Sequence, residues 1–99
     1  MKIADYLPTG KQNAVPSKEL ADLLGFDTVR ELQKSIERER QAGAVILSTC
    51  TDGGGYFLPA NESEIREFIR TLSNRAKNTR RSMESAQDAL DEMTGQMRL

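Results

Sequence analysis

Histidine is missing from this 99-residue chain. With it go the commonest general base, the commonest zinc ligand and every serine or cysteine triad built on imidazole. Cysteine is reduced to Cys50, so no internal disulfide can form. A lone cysteine in an apolar run behaves as a small buried hydrophobe, and a reducing compartment is expected. No stretch approaches the roughly 18 uninterrupted apolar residues of a membrane span. Residues 1–8, with Asp5 among them, lack the continuous apolar region of a signal peptide. A cytosolic chain is the expectation. Neither sign of charge is in excess: 14 Lys and Arg face 15 Asp and Glu for a formal net charge of −1. That balance excludes a disordered polyelectrolyte and leaves nucleic-acid binding to a local basic face. The scattered carboxylates suggest no cleft that would raise a pKa, so no catalytic residue, metal or cofactor is expected.

What is present is a clear order of short segments suited to one small domain. Ile3, Ala4, Tyr6 and Leu7 form an apolar patch ended by Pro8 and Gly10, a first helix of a turn or two. Residues 9–13 read as a polar loop, and Ala14, Val15 and Pro16 as an extended fragment, because the residue before proline is steered away from helix. Ser17 is the expected N-cap of a helix whose apolar face is Leu20, Ala21, Leu23 and Leu24. Gly25 ends it at the C′ position, and Phe26 turns back into the core.

Asp27 or Thr28 starts the next helix, with Glu31 in its first turn complementing the dipole. Val29, Leu32 and Ile36, with Ser35 and Glu39 at the margin, define its inner side, leaving Arg30, Gln33, Lys34, Glu37, Arg38 and Gln41 to solvent. Gly43 closes it. Residues 44–49 read as a strand answered by residues 56–58, because Asp52-Gly53 between such runs is a strong hairpin signal. The glycine-rich tip is suited to close approach by another backbone, and Pro59 stops the pairing. It is no phosphate loop, lacking the Gly-Lys-Ser/Thr ending and a following helix.

The segment Ser17-Lys18-Glu19-Leu20-Ala21-Asp22-Leu23-Leu24-Gly25-Phe26 resembles the first helix and turn of a helix-turn-helix. With residues 28–42 and the hairpin ending in Gly55-Tyr56-Phe57-Leu58-Pro59, residues 1–59 are similar to small winged-helix DNA-binding proteins of phage and mobile-element type. The resemblance implies a mainly α fold with a small β-hairpin, a winged helix-turn-helix over residues 1–60. Its second helix enters the major groove and its wing touches backbone or minor groove. The carry-over therefore points to Thr28, Arg30, Gln33, Lys34, Glu37 and Arg38, and to Thr51 and Gly53 in the wing. Arg30, Lys34 and Arg38 lie four residues apart on one face; Arg pairs with guanine, Gln with adenine and Glu with cytosine. The alternative is a solvated face laced with salt bridges to Glu31 and Glu37. Ser17 and Lys18 suit phosphate contact at a helix N-terminus. The wing departs from the family pattern: no Lys or Arg lies between Gln41 and Asn61, and Asp52 repels phosphate.

From Asn61 onward glycine and proline vanish until Gly95, and Ser63 or Asn61 caps a long helix over residues 61–94, followed by a flexible tail at 95–99. Ile65, Ile69, Leu72, Ala76, Thr79, Met83, Ala86, Leu90 and Met93 fall at alternating spacings of four and three, a heptad seam. A helix of roughly 45–50 Å exceeds a body of about 25 Å, so its distal half needs another partner. A homodimer through this seam is expected, with double-stranded DNA as the other partner. Arg75 and Arg80 flank the seam at g and e and would face each other in a parallel pair, which favours an antiparallel or staggered one. The acids Glu84, Asp88, Asp91 and Glu92 follow the basic run from Arg70 to Arg81 and would meet it in antiparallel association. Folding back at Asn74 or Asn78 is the alternative within one chain. Two functions stand: a homodimeric, sequence-specific DNA-binding regulator of transcription or of a mobile element, or a winged-helix scaffold that docks a replication or packaging protein through its long helix.

Overall fold

The computed structural model describes residues 2–50 and 53–95. It is mainly helical. A 3₁₀ turn at Ile3–Tyr6 and another at Lys11–Asn13 precede α1 (Ser17–Leu24) and α2 (Val29–Gln41); strands β1 (Leu47–Thr49) and β2 (Gly55–Phe57) follow, then α3 (Glu62–Thr94). The chain divides into two compact units, residues 1–68 and 69–99.

In the first unit one apolar cluster joins Ile3, Leu7, Leu20, Ala21, Leu32, Ile36 and Ile46. Leu32 and Ile36 are fully enclosed, at 0% and 1% exposure, each contributing about 1.5–3 kcal/mol by burial. Val15, Leu24, Phe26 and Val29 pack against the cluster. Leu23 departs from the expected apolar face of α1: it is 70% exposed, because at about 100° per residue Leu20, Ala21 and Leu24 point one way and Leu23 falls to their side.

Both helices of this unit end in the same manner. Gly25 adopts φ 80°, with its N–H on the Asp22 carbonyl and the Phe26 N–H on that of Ala21. Gly43 adopts φ 105°, with its N–H on Arg40 and the Ala44 N–H on Glu39. These are Schellman endings, which require the left-handed conformation that glycine tolerates. Their beginnings differ. Thr28 caps α2 by accepting the Glu31 N–H on its hydroxyl at 3.1 Å. Ser17 does not cap α1. The cap position is Pro16, whose carbonyl receives the Leu20 N–H at 2.9 Å, so the helix starts one residue early and has no side-chain cap.

The first apolar patch is a 3₁₀ turn held by a distant group: Glu39 of α2 accepts the N–H groups of Ile3 at 2.8 Å and Ala4 at 3.1 Å. The segment expected as a polar loop at 9–13 contains the second 3₁₀ turn. Both strands are shorter than, or shifted from, their apolar runs. The Ala44 N–H closes α2 and the Ile46 carbonyl accepts Arg40 Nε, so the ladder starts only at Leu47. β1 and β2 pair antiparallel as Leu47 with Phe57, Ser48 with Tyr56 and Thr49 with Gly55. On its other edge Tyr56 exchanges both backbone bonds with Val15, each at 2.9 Å, making the extended fragment a one-residue third strand. A Cβ on Gly55 would stand 2.8 Å from the Val15 backbone, so this junction admits only glycine. Leu58 bonds instead to Pro8 and Gly10. Cys50, expected inside, is exposed, one residue past the end of β1. Thr51 and Asp52 lie outside the described residues.

Asn61 caps α3, its Oδ1 accepting the Glu64 N–H at 3.0 Å. The helix runs unbroken through Asn74 and Asn78 to Thr94, and Gly95 follows at φ 71°. In the second unit every residue of 69–90 is exposed. Residues 96–99, the expected flexible tail, lie outside the described residues. No described helix is long and apolar enough to cross a membrane.

Candidate nucleic-acid interface

The apolar face of α2, anchored by Leu32 and Ile36, decides which of its side chains look outward. Arg30, Gln33, Lys34, Glu37 and Arg38 are all exposed. Arg30, Lys34 and Arg38 rise along one face in steps of about 6 Å. The salt-bridge lacing that their acidic neighbours make available does not form. Ion pairs among the described residues include Lys11–Glu67 and Glu62–Arg66, and no side chain of Arg30, Gln33, Lys34 or Arg38 enters a hydrogen bond or ion pair. Their charges and donors face solvent unspent.

The other expected contacts are less uniform. Lys18 is exposed and Ser17 half-buried at the start of α1. The Thr28 hydroxyl is engaged as the α2 cap, keeping its proton for an outside acceptor. Gly53 is exposed, at φ 90°; Thr51 falls outside the described residues. Of the expected pairing residues, Ile65 is half-buried, whereas Ile69, Leu72, Ala76, Thr79, Met83, Ala86 and Leu90 are exposed.

Arg40 carries a role that the sequence reading assigned to no residue. It continues the Leu32, Ile36 spacing onto the inner face, and this spacing is the signal that could have found it. Its Nε donates to the Ile46 carbonyl at 2.9 Å, and its guanidinium lies 6.0 Å from the Tyr56 ring and 5.1 Å from that of Phe68. Burial lowers its pKa, with Tyr56 and Glu37 pulling the other way; arginine remains charged regardless. It joins α2 to the hairpin and to the first turns of α3. Next to it in sequence, Glu39 joins α2 to the amino-terminal turn. A third junction is Glu64, whose carboxylate accepts the N–H groups of Ala60 and Lys11, each at 2.9 Å. Those bonds, Ala60's first, hold its pKa below the ordinary carboxylate value.

α2 is therefore fixed on its inner side at both neighbours and unencumbered on its outer side. That arrangement presents an outer face that bears the cations Arg30, Lys34 and Arg38 with Gln33 and Glu37 beside them. Among the described residues no group of three or more acidic or cysteine side chains is placed to hold a metal. Comparison of the chain with protein-family models, with curated proteins and with solved structures finds no match in any of the three.

Proposed function

We propose that this chain is a winged helix-turn-helix DNA-binding protein, with α2 as its recognition helix and α3 as its dimerisation helix, acting in the cytosol as a regulator of transcription or of mobile-element functions. The observation that carries the reading is the unpaired outer face of α2: Arg30, Lys34 and Arg38 keep their charge available although acids stand nearby in sequence. The order α1, Gly25 turn, α2, hairpin supports it, as does the bridge from Val15 to Tyr56, which supplies the short first strand of a winged helix. Bases are read through Arg30, Gln33, Lys34, Glu37 and Arg38. Ser17, Lys18 and Thr28 are placed for phosphates, and the wing, without a cation, contributes backbone N–H groups.

The triple variant R30A/K34A/R38A tests this. It keeps the far-ultraviolet circular dichroism and melting temperature of the parent, since none of the three side chains bonds to the fold. In fluorescence anisotropy against a DNA duplex selected for binding, its affinity falls at least tenfold and its salt dependence flattens by about two to three units of slope. Unchanged affinity in a folded variant overturns the assignment. The second reading, a scaffold docking a partner protein through α3, draws on the net charge of −1 and on the exposed Leu72, Met83 and Leu90. It predicts that the same triple variant is silent and that changes on α3 abolish partner capture.

A further inference from the structure

The exposed stripe of α3 carries more than a general tendency to pair. From Ile69 to Met93 its positions are large at both ends and, Met83 apart, small between them. Ile69 and Leu72 are 59% and 43% exposed, Met83, Leu90 and Met93 64%, 53% and 87%, and Ala76, Thr79 and Ala86 lie between. Charge is segregated along the same helix: Arg70, Lys77 and Arg81 in the first half, Glu84 and Glu92 in the second.

We infer that α3 binds a second copy of itself antiparallel, in one register, with the two-fold axis beside Arg81. This deepens the dimer reading above and is independent of DNA. An antiparallel coiled coil sets each a position of one helix against a d position of the other. In the register centred at Arg81, Ile69 meets Met93, Leu72 meets Leu90, Ala76 meets Ala86 and Thr79 meets Met83, each layer occurring twice by symmetry. Leucine meets leucine and alanine meets alanine, so the helices approach most closely where both are small. Thr79 fits this seam because its hydroxyl already donates to the Arg75 carbonyl at 2.9 Å, leaving its methyl for the partner.

The same register lays the cationic half of each helix along the acidic half of the other, with Arg70 level with Glu92. Sliding by one heptad in either sense loses this. One slide takes the levels of Ile69 and Leu72 past the end of α3 at Thr94; the other uses the half-buried Ile65 and sets Asp91 level with Glu64. A parallel pair sets Arg75 of each helix, at g, against Arg80 of the other, at e, and leaves the acids together. In the chosen register Arg80, at e, meets its own copy beside the axis, where Glu84 of each helix lies within one turn; Arg81, at f, is level with the axis but points away from the seam.

Disulfide trapping in the full chain tests the register. In a Cys50→Ser background, Ala76→Cys and Ala86→Cys are made separately, checked for unchanged helicity, and oxidised alone and as an equimolar mixture at micromolar concentration. The expected result is a covalent dimer in the mixture, at least tenfold above either variant alone. Cross-linking of each single variant with itself means parallel pairing and overturns the inference. So does failure to cross-link in the mixture: with a dimer mass by light scattering the register alone is wrong, and with a monomer mass pairing itself is wrong. The assay contains no DNA, so neither failure touches the assignment of α2.

Discussion

Arg40 shows how much of this fold hangs on single polar side chains. Its guanidinium lies within reach of two aromatic rings, and its Nε donates to the carbonyl of Ile46, the residue before β1. Replacing it by alanine removes the donor, strands that carbonyl and opens a gap beside Phe68. Arg40→Ala is expected to cost about 2–3 kcal/mol in urea denaturation, the sum expected for a charged hydrogen bond and cation–π contact. Arg40→Lys, with a point charge in place of a planar fork, recovers only part. Under the proposed DNA-binding reading, affinity per folded molecule stays near the parental value, since Arg40 faces inward. Such a residue is hard to find in a sequence. Its spacing from Ile36 placed it on the inner face, yet arginine there reads as an anomaly until Tyr56 and Phe68 arrive from elsewhere in the chain.

At the level of elements, whatever depends on local spacing was legible. The outer face of α2, the turns at Gly25 and Gly43, and the limits of α3 follow from apolar periodicity, caps and glycines, and each stands within a residue or so of its expected place. What depended on three-dimensional partners or on backbone geometry was not. Glu39 reaches amides at Ile3 and Ala4; the strands are trimmed because the Ala44 N–H and the Ile46 carbonyl are already taken; Pro16 displaces Ser17 as cap through a backbone geometry that composition does not announce. Glu64 turns one such junction into a pH dependence. Its folded pKa is lowered by the N–H groups of Ala60 and Lys11, so its stabilising contribution is complete above the unfolded carboxylate value, about 4.3. It is lost as pH falls from there through the lower folded value. Glu64→Gln melts lower than the parent at pH 7, and the gap between the two narrows in melts carried down toward pH 2.5. A gap that stays constant or widens on acidification contradicts this origin.

For the whole molecule, the exposed heptad stripe makes concentration a structural variable. If the axis passes Arg81, Arg80 is held against its own copy, and removing that repulsion strengthens association. Arg80→Gln is expected to lower the dimer dissociation constant two- to threefold in sedimentation equilibrium, about 0.5 kcal/mol. Weaker association would place Arg80 against an acid and move the axis. In the proposed dimer, raising salt weakens the long-range attraction between the cationic and acidic halves while the apolar layers persist. The same separation of duties holds within α2, where the side chains that point outward contribute no bond to the structure beneath them. Surface changes of that kind cost the fold within about 0.5 kcal/mol. Substitutions at Arg30, Gln33, Lys34 and Arg38 are thus free to change the chemistry this face presents while leaving the skeleton beneath it unaltered.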